Sequence, residues 1–199
     1  MMKKQLILTV GREFGSGGHE IAQKLAEYYH LPLYDGNLLK EIAAGKNIDS
    51  NVLEEFDEAH KKPVISRTVR GMSNSPEQNI ANMEFQFLKK KAEEGESFVV
   101  VGRCAETILR EFPAVISIFV LGDRESKMER VSQKYHLSME KAEKLMLQTD
   151  KKRKQYHNNY CPIKWGDSRN YDISINSSRF GLEGSVKLLV ESIKIKTQE

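Results

Sequence analysis

The chain of 199 residues has only two cysteines, Cys104 and Cys161, and their separation is not that of a metal-binding pair. Its five histidines (His19, His30, His60, His136 and His157) form no HxxxH pair and no Cys/His set, which argues against a zinc site. Two scattered thiols suit a reduced, cytoplasmic protein. Long hydrophobic runs are missing as well. The longest near the N-terminus, Leu6-Ile7-Leu8-Thr9-Val10, is too short for a signal peptide or a membrane span, so no membrane partner is expected. Charge of one sign is scarce: 31 Lys and Arg face 28 Asp and Glu. A net charge of +3 gives no general attraction for nucleic acid, and any basic site has to be local. No repeat, low-complexity tract or linker divides the chain. Its length suits one domain over residues 1–199, with a core large enough to need neither disulfides nor structural metal.

What is present alternates between short apolar runs and helical patterns. Residues 6–10 read as a buried strand and residues 11–18 as a glycine-dense turn. Ile21, Ala22, Leu25, Ala26 and Tyr29 then recur at helical spacing. Leu31-Pro32-Leu33-Tyr34-Asp35 reads as a second strand, completing a parallel βαβ unit. Residues 37–94 look helical and polar, with Asn37 and Ser50 as plausible caps. Ser75-Pro76-Glu77 starts a helix with an apolar stripe of Ile80, Met83, Phe87 and Leu88, ended by Gly95. Residues 62–75, with a proline, a glycine and several polar residues, are the best candidate for a mobile loop. Further strands are predicted at 98–101, 115–121 and 172–175. Further helices are predicted at 123–135, at 138–157 with Ser138 as cap, and at 182–195. Five short apolar runs separated by helices predict an α/β fold, a five-stranded parallel sheet flanked by helices on both faces.

Three constellations carry chemistry. The first is Gly11-Arg12-Glu13-Phe14-Gly15-Ser16-Gly17-Gly18-His19-Glu20, between a strand and a helix. Glycines let the backbone approach a ligand, and free amides at a helix start attract anions. The signature GxxxxGK[ST] is incomplete: with Gly17 as its last glycine, Gly18 replaces the lysine and His19 the hydroxyl. Arg12 is placed to supply the missing charge. A turn that only packs strand against helix is the plainer alternative. The second is Gly102-Arg103, just past a strand's C-terminal end, where open α/β sheets bind ligands. Arg103 either grips a phosphate or caps a turn. The third is Asp150-Lys151-Lys152-Arg153-Lys154 on a helix, with Asp150 and Arg153 on one face. Such a run is either solvated surface or charge for phosphoryl transfer, joined by Arg130. Asp35 is read as an acceptor contact or as a helix cap. Tyr156, Tyr160 and Trp165 suit packing better than base stacking. Cys104 has no neighbour in sequence that would activate it.

The segments GREFGSGGHEIAQKLAE, LPLYDGNLL, VVVGRCAETILR, TDKKRKQYHNNYCPIKWGD and NYDISIN follow in order over almost the whole chain. A chain so marked resembles the cytidylate-kinase-like family, a divergent branch of the nucleoside monophosphate kinases. The resemblance implies the P-loop kinase fold with a helical acceptor-binding region at 37–95 and a lid at about 138–165. It places phosphates on Gly15, Ser16, Gly17, Gly18 and His19, and matches Asp35, Gly102 and Arg103 to the acceptor site. Asp150 and Arg153 match the lid, and Cys104 stands where an aspartate is usual. Missing lysine and hydroxyl are typical of this branch. The implied activity is ATP-dependent phosphoryl transfer to a nucleoside monophosphate, cytidylate favoured, with the γ-phosphate between Arg12, Arg130 and Arg153. Magnesium would be held by phosphates and water, with His19 or Glu20 reaching it through a water. A nucleotide-binding protein without turnover is the alternative. Nucleic-acid binding has only the 151–154 run in its favour and is not expected.

Overall fold

The computed structural model describes residues 4–36, 38, 42 and 76–198. Five strands form one parallel sheet: β1 Ile7–Arg12, β2 Leu33–Tyr34, β3 Phe98–Val101, β4 Val115–Leu121 and β5 Ile173–Asn176. Their order is β2-β3-β1-β4-β5. Among the described residues, six α-helices with defined bounds accompany them: α1 Gly18–Tyr29, α2 Pro76–Glu93, α3 Ala105–Ile108, α4 Arg124–Tyr135, α5 Met139–Tyr160 and α6 Ser177–Thr197.

The strands are apolar throughout because both faces are covered. Alternate residues enter two cores. Leu8, Val10, Val99, Val101, Ile116, Ile118 and Val120 meet α1 and α6, through residues such as Ile21, Leu25, Leu189 and Ile193. Ile7, Phe98, Val100 and Val115 meet α2 and α3, through Ile80, Leu88, Ala105 and Leu109. This fixes the register, since a slip of one residue would exchange the two faces. Helices α4 and α5 pack on each other.

Central β1 sits between β3 and β4, and its C-terminal end opens into the glycine turn. The chain leaves β1 toward β2 at one edge and leaves β3 toward β4 on the opposite side. The carboxyl ends of β1 and β3 therefore flank a crevice of the kind in which open α/β sheets bind ligands. Gly102 donates its amide to the Val10 carbonyl (3.0 Å), which sets the turn after β3 beside the turn after β1.

Most expected elements are present, with shifted ends. The second strand contracts to two residues, which pair with β3 rather than with β1. The last helix begins five residues early, because Asn176 caps it by accepting from the Ser178 amide at 3.0 Å. The helix is then broken at Gly181, whose φ of 66° is not helical. Ser138 caps α5 as expected. The caps at Asn37 and Ser50, the loop at 62–75 and most of the expected acceptor region lie outside the described residues.

Asp172 ties the edge strand into the sheet. It accepts from the Ser117 amide (2.8 Å) and hydroxyl (2.9 Å) and pairs with Lys196 at 2.6 Å. Burial alone would raise its pKa; the bonds from Lys196 and Ser117 outweigh that and lower it. The stability this contributes is present above the unfolded value near ~3.9 and is lost as pH falls through the lower folded value. Asp172→Asn is expected to cost about 1 kcal/mol at neutral pH, a modest figure because the site is partly exposed. The deficit should shrink below the folded pKa, and urea unfolding at neutral and acid pH measures it.

Candidate active site

The glycine turn is built by Gly15 and Gly17, both with positive φ (82° and 75°). Gly17 caps α1 from the left-handed region, where glycine alone is free of strain. A Cβ on Gly17 would also strike Leu182 and lie 2.9 Å from Arg130 Nη1. No side chain caps the start of α1, and its first internal bond is Ile21 amide to Gly17 carbonyl. The amides of Gly18, His19 and Glu20 are therefore left over from the helix, as at any helix start. Gly15, Gly17, Gly18, His19 and Glu20 line a cavity of about 310 Å³ together with Arg12, Arg130, Lys134 and Arg153. Ser16 is absent from that wall. Its side chain is buried, its hydroxyl donates to the Glu13 carbonyl (2.9 Å), and its own carbonyl accepts from Ser177 Oγ (2.5 Å).

Three arginines from three elements meet here. Arg12 ends β1. Arg130 of α4 donates to the Gly15 carbonyl at 3.0 Å, and Arg153 of α5 donates to the Arg12 carbonyl at 3.2 Å. Arg153 also lies over the Phe14 ring, 5.4 Å from its centre, and Phe14 stacks on Tyr135. Asp150 accepts from the Phe14 amide at 2.7 Å. Of the 150–154 run, Asp150 and Arg153 face the turn, while Lys151, Lys152 and Lys154 are exposed. Burial, then the like charges of Arg153 and Arg103, lower the Arg12 guanidinium to about 9; Asp35 and Asp150 offset part of this. Burial also lowers Arg153 and raises Asp150. The site thus holds more positive charge than its carboxylates compensate, and Arg12 Nε has no hydrogen-bond partner.

Arg12 also links the glycine turn to the turn after β3. A Cβ on Gly102 would collide with the Arg12 guanidinium, and one on Gly18 would lie 2.5 Å from Arg12 Cβ. The arginine passes between these two glycines. Asp35, Gly102 and Arg103 do not line the cavity itself. Asp35 accepts a bond from His19 (2.8 Å), so two residues expected in separate sites form one pair. Gly102, Arg103 and Cys104 all have positive φ (76°, 60° and 54°), and such strain in non-glycine residues gathers at functional sites. Arg103 pairs with Glu84 of α2 at 3.2 Å. Magnesium takes oxygen ligands with several waters. The carboxylates of Glu20, on the cavity wall, and of Asp35 beside His19 suit such a cation held mainly by phosphates.

Sequence reasoning missed several partners. Glu84 is fully buried between Ile80 and Leu88 on the apolar stripe of α2, and a carboxylate at that spacing was the available signal. Lys127 pairs with Glu13 at 2.8 Å, and Glu13 also accepts from the Gly122 amide at 3.1 Å, which pins the turn to α4. The burial of Lys127 had no sign in the sequence. Tyr160 packs edge-on against Phe85 and Trp165 against Phe119, as expected of packing residues. Burial pushes the Tyr156 phenol up, and its hydroxyl has no hydrogen-bond partner.

The expectation of unconnected cysteines is corrected. Cys104, Glu106, His157 and Cys161 are all buried and cluster directly behind Arg103. His157 Nε2 and Glu106 Oε1 are 2.8 Å apart. The Cys104 thiol bonds to Cys161, lowering Cys161, which His157 and Thr107 also favour as thiolate; the same contact and then burial raise Cys104. Burial works against a charged His157, but its bonds to Cys161 and Glu106 raise it to about 10. The cluster joins two distant segments, which hid it. Only His157 and Cys161, four apart at the end of one helix, share a face by spacing.

Similarity to known proteins agrees with this geometry. The chain is 27% identical over 196 residues to the cytidylate kinase of Pyrococcus horikoshii, covering 97% of this chain and 91% of that one. It is 27% identical over 195 residues to the cytidylate kinase of Methanococcus vannielii, covering 95% and 100%. A crystal structure of an uncharacterized protein from Eubacterium ventriosum is 41% identical, with a TM-score of 0.77 over 96% of this chain and 99% of that one. Shikimate kinase from Bacteroides thetaiotaomicron, at 14% identity and a TM-score of 0.55 over 95% and 98% of the two chains, shares the P-loop kinase fold. The family described as cytidylate kinase-like matches residues 7–179, and the chain belongs to it.

Proposed function

We propose that the protein transfers the γ-phosphoryl group of ATP to a nucleoside monophosphate, with cytidylate the favoured acceptor. The observation that carries this reading is the convergence of Arg12, Arg130 and Arg153 with the amides of α1 on one cavity. Phosphoryl transfer asks for little else: positioning and positive charge around the migrating group. An oxygen of the acceptor's phosphate attacks the γ-phosphorus, the bond to the β,γ-bridging oxygen breaks, and ADP leaves as the nucleoside diphosphate forms.

In this reading the amides of Gly17, Gly18, His19 and Glu20 receive the ATP phosphates. Arg130 and Arg153 cover the γ-phosphate from the α4–α5 side, which acts as the lid. Arg12 takes the place of the absent lysine. Gly18 stands at the lysine's position, and a side chain there would meet Arg12, so the charge arrives from the strand instead. On the acceptor side Arg103 holds the monophosphate, steadied by Glu84, with Asp35 nearby. Magnesium, when bound, shields charge between the phosphates, and Glu20 and Asp35 would hold its waters.

A coupled assay with magnesium-ATP and a panel of monophosphates tests this. CMP is expected to be turned over faster than UMP, AMP or GMP. Arg12→Ala and Arg153→Ala should each lower kcat about a hundredfold to a thousandfold, as loss of transition-state charge does. Adding Gly18→Lys to Arg12→Ala should not restore the rate, because the Arg12 Cβ, 2.5 Å from where a Cβ on Gly18 would lie, remains in alanine. Arg103→Lys should raise the acceptor KM about tenfold and leave the ATP KM unchanged. Arg103→Ala is the poorer probe: it removes a positive charge beside a fully buried carboxylate, at a cost of about 3 kcal/mol.

The glycine at the lysine position and the engagement of His19 with Asp35 favour a second reading, a nucleotide-binding protein without turnover. A melting temperature raised by ATP, with no product from any monophosphate, would select it.

A further inference from the structure

Cys104, Glu106, His157 and Cys161 take no part in the phosphoryl transfer proposed above. All four are residue types that bind metal, and they are 3%, 7%, 4% and 6% exposed. Glu106, His157 and Cys161 each place a ligand atom within 4.8 Å of the others. The Cys104 thiol interacts with the Cys161 thiol but stands outside the set of three whose ligand atoms are all mutually close. Nε2 of the buried imidazole faces Glu106, while Nδ1 makes no geometrically acceptable hydrogen bond among the described residues.

We propose that these four side chains form a closed site for a thiophilic divalent transition metal ion, Zn2+ being the best fit. A tetrahedral zinc with bonds of about 2.0–2.3 Å needs its ligands roughly 3.3–3.8 Å apart, so Glu106, His157 and Cys161 contract around the ion while the Cys104 thiol moves in from outside that set to complete the shell. The donor set selects the metal. Two sulfurs and an imidazole suit zinc and reject magnesium and calcium, which take oxygen. The site is therefore chemically separate from any magnesium among the phosphates. On binding, both thiols and the imidazole release whatever protons they carry to solvent. The ion then faces two thiolates, one carboxylate and a neutral ring. This leaves one net negative charge, with Arg103 adjacent in sequence to Cys104. Burial also favours metal over redox chemistry, since redox-sensing cysteines are solvent-accessible.

The ion would clip two parts of the molecule together. Cys104 and Glu106 belong to the turn and short helix that follow Arg103. His157 is in the last turn of α5, and Cys161 ends that helix, which carries Asp150 and Arg153 to the glycine turn. A structural ion here sets the spacing between the two halves of the crevice.

The test uses the full chain without nucleotide, so its outcome is separate from that of the kinase assay. Protein purified under reducing conditions and dialysed against excess Zn2+ is expected to retain about one zinc per chain by elemental analysis. Cobalt substitution should give the intense visible bands and thiolate charge-transfer absorption of a tetrahedral sulfur-bound ion. Cys161→Ser and His157→Gln should each lower retained zinc at least about tenfold. Should either variant fail to fold, the cobalt spectrum of the unmodified chain decides. Retention of less than about a tenth of an equivalent by the reduced chain, a cobalt spectrum without sulfur bands, or full zinc retention by folded Cys161→Ser would each overturn the proposal. So would isolation of the protein as a metal-free Cys104–Cys161 disulfide that, once reduced, still takes up no zinc.

Discussion

One side chain, Arg12, sets the terms for the whole crevice. It leaves the central strand at the point where the sheet ends, and it is buried beside two other guanidiniums. Keeping a cation there requires space and partial counter-charge. The space comes from Gly18 and Gly102, each of which would place a Cβ against it. The counter-charge comes from Asp35 and Asp150 and is incomplete. Arginines gathered beside the start of a helix are the arrangement that the proposed function uses to receive phosphates.

The rest of the site can be traced to holding that arrangement in place. Glu13 and Lys127 fasten the glycine turn to α4, and Asp150 and Arg153 fasten it to α5 through the Phe14 amide and the Arg12 carbonyl. Glu84 reaches from α2 to Arg103, so the turn after β3 is braced by that helix. The arginines thus stand on three elements that meet only at the carboxyl ends of β1 and β3. Motion of the α4–α5 pair would move Arg130 and Arg153 together while leaving Arg12 on the rigid sheet. That division suits a lid closing over a fixed phosphate cradle.

Some features were legible because local physics decides them. The run at 98–101 can only be a doubly buried strand once glycine-bounded and four residues long, and it is β3 to the residue. Asp150 and Arg153 were readable as one face from their spacing, but not as facing the glycine turn. The two-residue β2 shows the opposite case. Leu31 and Pro32 looked like strand, but Pro32 gives no amide to a ladder, and pairing is confined to Leu33 and Tyr34. Glu84 was overlooked because a carboxylate within an apolar stripe normally points to solvent. Here it points inward, where Arg103 from the turn after β3 pairs with it.

Composition, periodicity and glycine placement in the sequence by themselves determined the α/β class, the five strands, the glycine turn and the absence of the lysine. These follow from backbone preference and hydrophobic burial, which act over a few residues. Only the tertiary structure decided that Arg12 lies against the glycine at the lysine position, that His19 and Asp35 are one pair, and that Cys104 meets Cys161, 57 positions away and beside a buried histidine and glutamate. Those outcomes depend on strand order and helix docking, which bring together groups whose interactions fall off within a few ångströms and so leave no trace in local spacing.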